Sequence, residues 1–126
     1  MSSSPICYIA VVDDDESLCR SLGRLLRVAG FQAITYPSGE AFLGDTKRPK
    51  FDCLVLDIRF DGMSGIELQK RIVASGATTP IIFITAHDDP GAREEVIAAG
   101  CKAFFRKTDP GEAVLAVLTA IRETCA

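Results

Sequence analysis

Apolar residues fall into two patterns along this chain, and the alternation between them predicts its architecture. Unbroken apolar runs occupy residues 6–12, 53–56 and most of 80–85. Such runs read as strands buried on both faces, as in parallel sheets. Residues 31–36 are shorter and partly alternating, which suits an edge strand, and residues 101–105 form a fifth strand pattern. Between the strands the spacing becomes helical. Leu18, Leu22, Leu25, Leu26 and Ala29 recur on one face, with Gly30 as the stop. Pro37-Ser38-Gly39 opens a short helix through Phe42 and Leu43, followed by a polar loop to Lys50. Ser64 and Glu67 fit a capping box ahead of Leu68, Ile72 and Val73, and Gly76 ends that helix. Asp89-Pro90 and Asp109-Pro110 each read as a helix cap with proline in the first turn. Val96 and Ile97 follow the first, and Val114, Val117, Leu118 and Ile121 the second.

Five strands thus alternate with five helices. The fold class is α/β, a doubly wound (βα)5 unit around one five-stranded parallel sheet with right-handed crossovers. Residues 1–5 read as a short disordered tail and residues 6–123 as one domain.

Composition narrows the function more than the fold. The 126 residues are 48% hydrophobic, enough for one sizeable core, and 25% charged, which argues against disorder. A net charge of −3 gives no footprint for nucleic acid, so direct nucleic-acid binding by this chain is not expected. No apolar run approaches the roughly 18 residues of a membrane span. No basic stretch precedes residues 6–12, so they read as a strand rather than a signal peptide. Cys7, Cys19, Cys53, Cys101 and Cys125 show neither zinc spacing nor a disulfide framework. Reduced thiols in a cytoplasmic location are expected, with Cys19 and Cys125 the more accessible.

The candidate chemistry lies at strand ends. Asp13 and Asp14 close the first strand and Asp57 the third. In the common 2-1-3-4-5 strand order these two strands are neighbours, and the crevice outside their carboxyl ends is where open α/β sheets bind ligands. Three carboxylates converging there repel unless a cation or proton intervenes. An all-oxygen set at a solvent-facing edge suits Mg²⁺. Asp15 and Glu16 are accounted for as acidic residues at a helix N-terminus. Thr85 and Lys107, at the ends of the fourth and fifth strands, project at the same edge. A carboxylate ringed by a hydroxyl, an ammonium and a divalent cation is a phosphoryl-transfer constellation.

With these residues in place, the chain resembles the receiver domain of a two-component response regulator. The likeness rests on Val12-Asp13-Asp14-Asp15, Leu56-Asp57 with Met63-Ser64-Gly65, Ile84-Thr85-Ala86 and Phe104-Phe105-Arg106-Lys107. It is strongest toward receivers of FixJ-type transcription regulators. The resemblance implies a flavodoxin-like receiver fold and a signalling domain rather than an enzyme. It implies Asp57 as phosphoacceptor for a sensor histidine kinase, and Mg²⁺ held by Asp13, Asp14, Asp57 and the Arg59 backbone carbonyl. It further implies phosphoryl contacts from Thr85 and Lys107, and a switch through Thr85 and Phe104. Phosphorylation would then change a face built from the fourth helix, fifth strand and fifth helix. Glu94, Glu95, Lys102, Arg106 and Arg122 are expected on that face, suited to a homodimer or an output partner. Arg59 and His87 are expected over the cleft mouth.

Two positions depart from the family pattern. Asp61 and Thr108 stand where prolines are usual. The Lys107–Thr108 bond is therefore expected to be trans, with a rearranged loop and Lys107 displaced from the cleft. Three other readings compete. A haloacid-dehalogenase-like phosphatase wants a second aspartate where Arg59 stands. A flavodoxin-type nucleotide binder wants a glycine-rich loop where the acidic run stands. A degenerate receiver would serve only as a docking module. The chain is expected to be a stand-alone receiver or the N-terminal piece of a longer regulator.

Overall fold

The structure, a computed structural model, describes residues 7–58, 62–86 and 90–124. Strands and helices alternate without exception: β1 (Tyr8–Val12), α1 (Glu16–Val28), β2 (Gln32–Tyr36), α2 (Gly39–Gly44) and β3 (Cys53–Leu56). They continue as α3 (Gly65–Ala74), β4 (Ile81–Thr85), α4 (Pro90–Ala98), β5 (Ala103–Arg106) and α5 (Gly111–Thr124). The strands form one parallel sheet in the order β2-β1-β3-β4-β5. This is the fold expected from the alternating patterns. The sequence-expected tail at residues 1–5, together with Arg59, Asp61, His87, Asp89 and Cys125, lies outside the described residues.

The unbroken apolar strands follow from burial on two sides. Successive strand residues point to opposite faces, so each central strand feeds two cores. Ile9, Val11, Cys53, Val55, Ile82 and Ile84 pack with Leu22 and Leu26 of α1 and Val114, Leu118 and Ile121 of α5. Ala10, Val12, Leu54, Leu56, Ile81 and Phe83 pack with Phe42, Leu68, Ile72 and Val96 of the other three helices. β5, at the sheet edge, is only half-buried, and Phe104 and Phe105 are divided between the two cores without being fully enclosed.

Helix starts are set by side-chain caps. Asp15 accepts the Leu18 N–H at 3.1 Å, Ser38 the Ala41 N–H at 3.0 Å, and Ser64 the Glu67 N–H at 3.1 Å. The capping box of α3 is half-made, because the Glu67 carboxylate turns to Arg71, 3.9 Å away and one turn on. Asp109 does not cap α5. Its carboxylate accepts the Arg106 N–H at 2.8 Å and so fastens the loop back onto β5.

Two residues expected on the α4–β5–α5 face belong elsewhere. Glu95 pairs with Lys70 of α3 at 3.2 Å. Arg122 lies over the Phe31 ring, 4.3 Å from its centroid, and donates to the Ala29 carbonyl, tying α5 to the end of α1. Helical spacing gives the apolar stripe but not which neighbour each flank meets.

Candidate functional site

The carboxyl edge of the sheet is built by extending the strand ladder one residue past each strand. The Asp13 N–H donates to the Tyr36 carbonyl at 3.0 Å, Asp57 to Val12 at 3.2 Å, and Lys107 to Thr85 at 2.8 Å. These bonds fix the backbone of each site residue against the neighbouring strand. Asp13, Asp57 and Thr85 are buried, and Asp14 faces solvent.

Lys107 stands in the middle of this edge. Its Nζ lies 3.1 Å from Asp13 Oδ2, 3.2 Å from Asp57 Oδ2 and 3.5 Å from Asp15 Oδ2. Displacement of Lys107 from the cleft, expected from Thr108, does not occur. The peptide bond is trans, as its neighbour requires, since no cis bond occurs among the described residues. The Lys107 and Arg106 backbone hydrogen bonds hold the loop without a proline. Asp15, accounted for in the sequence only as an acidic residue at a helix N-terminus, both caps α1 and contributes to the ammonium's surroundings.

Burial sets the electrostatics. Desolvation pushes the Asp13 carboxyl up to about 6, and the negative charge of Asp57 adds to it. The Asp15 N–H and Lys107 pull the other way. For Lys107, burial alone would favour loss of the proton, but its bonds to Asp13 and the charges of Asp13 and Asp57 outweigh that and raise its pKa. Asp15 is held below the usual carboxylate range, first by the Leu18 N–H. Cys19, half-buried, donates from Sγ to the Asp13 carbonyl at 3.4 Å, and burial pushes its thiol up to about 11. As expected it is more accessible than Cys7 and Cys53, which are buried, and Cys101 shares its intermediate exposure.

One carboxylate oxygen from each of Asp13, Asp14 and Asp57 falls within a 4.8 Å cluster. Asp13 Oδ2 is buried without a hydrogen-bond partner, even though the ammonium is 3.1 Å away. A buried carboxylate oxygen paired only with an ammonium, an all-oxygen donor set and one member open to solvent together fit a hard divalent cation that keeps some of its waters. The cluster could hold such a cation. Arg59, whose carbonyl completes the expected set, lies outside the described residues.

Phe104, beside Phe83 in the register of β4 and β5, is partly buried, and Thr85 ends β4 next to Arg106. The Arg93 guanidinium of α4 lies 5.5 Å from the Phe104 ring centroid. Arg93 was not singled out in the sequence, because a cation–π contact between a helix and an edge strand leaves no local pattern.

Comparison with known proteins agrees with this fold. The sequence model of the response regulator receiver domain matches residues 9–119. Response regulator protein TmoT of Ectopseudomonas mendocina is 36% identical over 115 residues, covering 90% of this chain and 52% of that protein. Transcriptional regulatory protein FixJ of Bradyrhizobium diazoefficiens is 35% identical over 117 residues, covering 92% of this chain and 57% of that protein. The chain therefore spans about half the length of the curated relatives it matches. Among solved structures, FixJ-N superposes with a TM-score of 0.83 at 29% identity, covering 98% of this chain and 96% of that one. A response regulator receiver protein from Burkholderia phymatum gives 0.79 at 42% identity, covering 93% and 95%.

Proposed function

This chain belongs to the response regulator receiver family, and from that premise we propose that Asp57 accepts a phosphoryl group from a sensor histidine kinase in a Mg²⁺-dependent reaction. The chain is a receiver domain, a signalling unit of a two-component system, and we take the receiver to run from residue 6 to 123. The observation that carries the reading is Lys107, whose ammonium lies within 3.2 Å of both Asp57 and Asp13 at the end of β5.

In the proposed transfer, an Asp57 carboxylate oxygen attacks phosphorus in line. A new O–P bond forms as the bond to the donor breaks, and the donor's histidine nitrogen leaves with the bonding pair. The Lys107 ammonium shifts part of its contact from Asp57 to a phosphoryl oxygen. The Thr85 hydroxyl donates to another, and such charge-assisted bonds are stronger than neutral ones. Asp13, Asp14 and Asp57, with the Arg59 carbonyl, would hold Mg²⁺, which supplies the charge that offsets the incoming phosphoryl oxygens. Asp15 keeps Lys107 from leaving the cleft.

The output follows from Thr85. Its movement toward the phosphoryl group vacates space at the end of β4, and Phe104 turns inward to fill it. The α4–β5–α5 face, with Glu94, Lys102 and Arg106 exposed, then favours a second copy of the chain or an output partner. Phosphate needs only to bind the two states unequally. Transcription control is proposed for the longer regulator by likeness to FixJ. No helix among the described residues is long and apolar enough to cross a membrane, and a cytoplasmic location is proposed.

Intact-mass spectrometry after incubation with acetyl phosphate tests the reading. One added phosphoryl group is expected with Mg²⁺ and none with EDTA or in Asp57→Asn. An adduct that persists in Asp57→Asn removes the assignment.

A further inference from the structure

We infer that Glu40 is a positioning residue for this reaction, latching the Gly62–Met63 turn ahead of α3 onto the start of α2. The inference rests on the reading of Asp57 as phosphoacceptor.

Residues 58–64 connect Asp57 to α3, contain no proline and include Gly62. Nothing covalent stiffens this segment. Its ends are closed by the Gly65 N–H, which donates to the Ile58 carbonyl at 2.9 Å. At that point Gly65 crosses the Asp57 carbonyl so closely that a Cβ at 65 would overlap the oxygen. A shift of the backbone at Gly65 is therefore felt at the Asp57 backbone.

The far side of the loop is held from α2. Glu40 Oε2 accepts the Met63 N–H at 3.3 Å across 23 residues of sequence. A second observation places the same carboxylate. Gly62 has φ +80, and a Cβ there would overlap Glu40 Oε2. The carboxylate thus lies against the turn at a glycine whose positive φ other residues rarely adopt. Glu40 is not needed to cap its own helix, because Ser38 already serves the Ala41 N–H. Nor does it anchor α2 in the core, which Phe42 does. Its carboxylate is left to the Met63 N–H, two residues before the Gly65 that packs on the Asp57 carbonyl.

The test uses the whole chain with Glu40→Ala and Glu40→Gln, since a glutamine can still accept the N–H. Amide hydrogen exchange at Met63 reads the latch, and the rate of mass gain from acetyl phosphate at saturating Mg²⁺ reads its consequence. In Glu40→Ala we expect Met63 to exchange about tenfold faster and phosphorylation to slow three- to tenfold, with the melting temperature within a few degrees of wild type. Glu40→Gln should restore both rates to within twofold. Unchanged Met63 exchange in Glu40→Ala overturns the inference. So does phosphorylation at the wild-type rate despite faster exchange, and so does a Gln variant as impaired as Ala. A wild-type chain that takes up no phosphoryl group overturns the reading of Asp57 and the positioning role with it, while Met63 exchange still reports whether the latch exists.

Discussion

Lys107 Nζ stands 3.2 Å from Asp57 Oδ2, both side chains being mostly enclosed. A buried charge left without its partner is costly, typically about 3–5 kcal/mol. Here three carboxylates share the one ammonium, and Lys107→Ala removes the nearest positive charge from the buried Asp13 and Asp57. Without divalent cation, Lys107→Ala is expected to lose about 2–4 kcal/mol of stability. Adding Mg²⁺ should recover more stability in this variant than in wild type. Denaturant unfolding with EDTA and with Mg²⁺ checks both. Equal Mg²⁺ responses would mean that the cation and Lys107 do not share the same carboxylates.

The Asp13 carboxyl is raised from 3.8 to about 6 in the folded chain, chiefly by burial. The fold therefore favours the protonated form. Its stabilising contribution is complete below pH 3.8, is lost as pH rises through about 6, and stays lost above that. Each pKa unit corresponds to about 1.4 kcal/mol. In EDTA, Asp13→Asn is expected to be more stable than wild type by about 1–3 kcal/mol at neutral pH. The gap should close below about pH 4. Chemical denaturation across pH measures it, and a gap that is constant with pH contradicts the shift.

Gly65 and Gly44 form a matched pair. A Cβ at 65 overlaps the Asp57 carbonyl oxygen, whereas one at 44, in the last turn of α2, meets nothing within 4 Å. Gly65→Ala should cost about 2 kcal/mol or more through forced backbone movement, and phosphorylation should slow with it. Gly44→Ala should be neutral or stabilise by up to about 1 kcal/mol. Thermal melts of the two variants separate the cases.

The Arg93 guanidinium lies over the Phe104 ring, where it would bias the proposed switch. An exposed cation–π contact is worth about 0.5–1 kcal/mol. Arg93→Ala should shift Phe104 toward its inward rotamer two- to fivefold without phosphate, and Arg93→Lys should shift it less. NMR of labelled phenylalanine reads the rotamer. Identical Phe104 signals in wild type and Arg93→Ala would leave Arg93 without a part in switching.

Much of this was legible in the sequence because parallel strands announce themselves. The runs ending at Val12, Leu56 and Thr85 gave both the sheet and the side chains at its carboxyl edge. Lys107 was expected at the right strand end but in the wrong place. Thr108 was read as displacing Lys107 through a rearranged loop, whereas the Lys107 N–H donates to the Thr85 carbonyl and the Arg106 N–H to the Asp109 carboxylate, which hold that loop. Glu95 and Arg122 were misassigned because a helix flank can meet either neighbour, and only packing decides. Glu40 left no signal, since its partner is a backbone N–H, which every non-proline residue offers.

The most direct measurement locates the acceptor. The chain is incubated with acetyl phosphate and Mg²⁺, reduced with borohydride, which converts an acyl phosphate on aspartate to homoserine, and mapped by peptide mass spectrometry. Homoserine at position 57 alone, absent when EDTA is present, is the expected result. Homoserine at position 13 or 14, or at none of the three, would contradict the account.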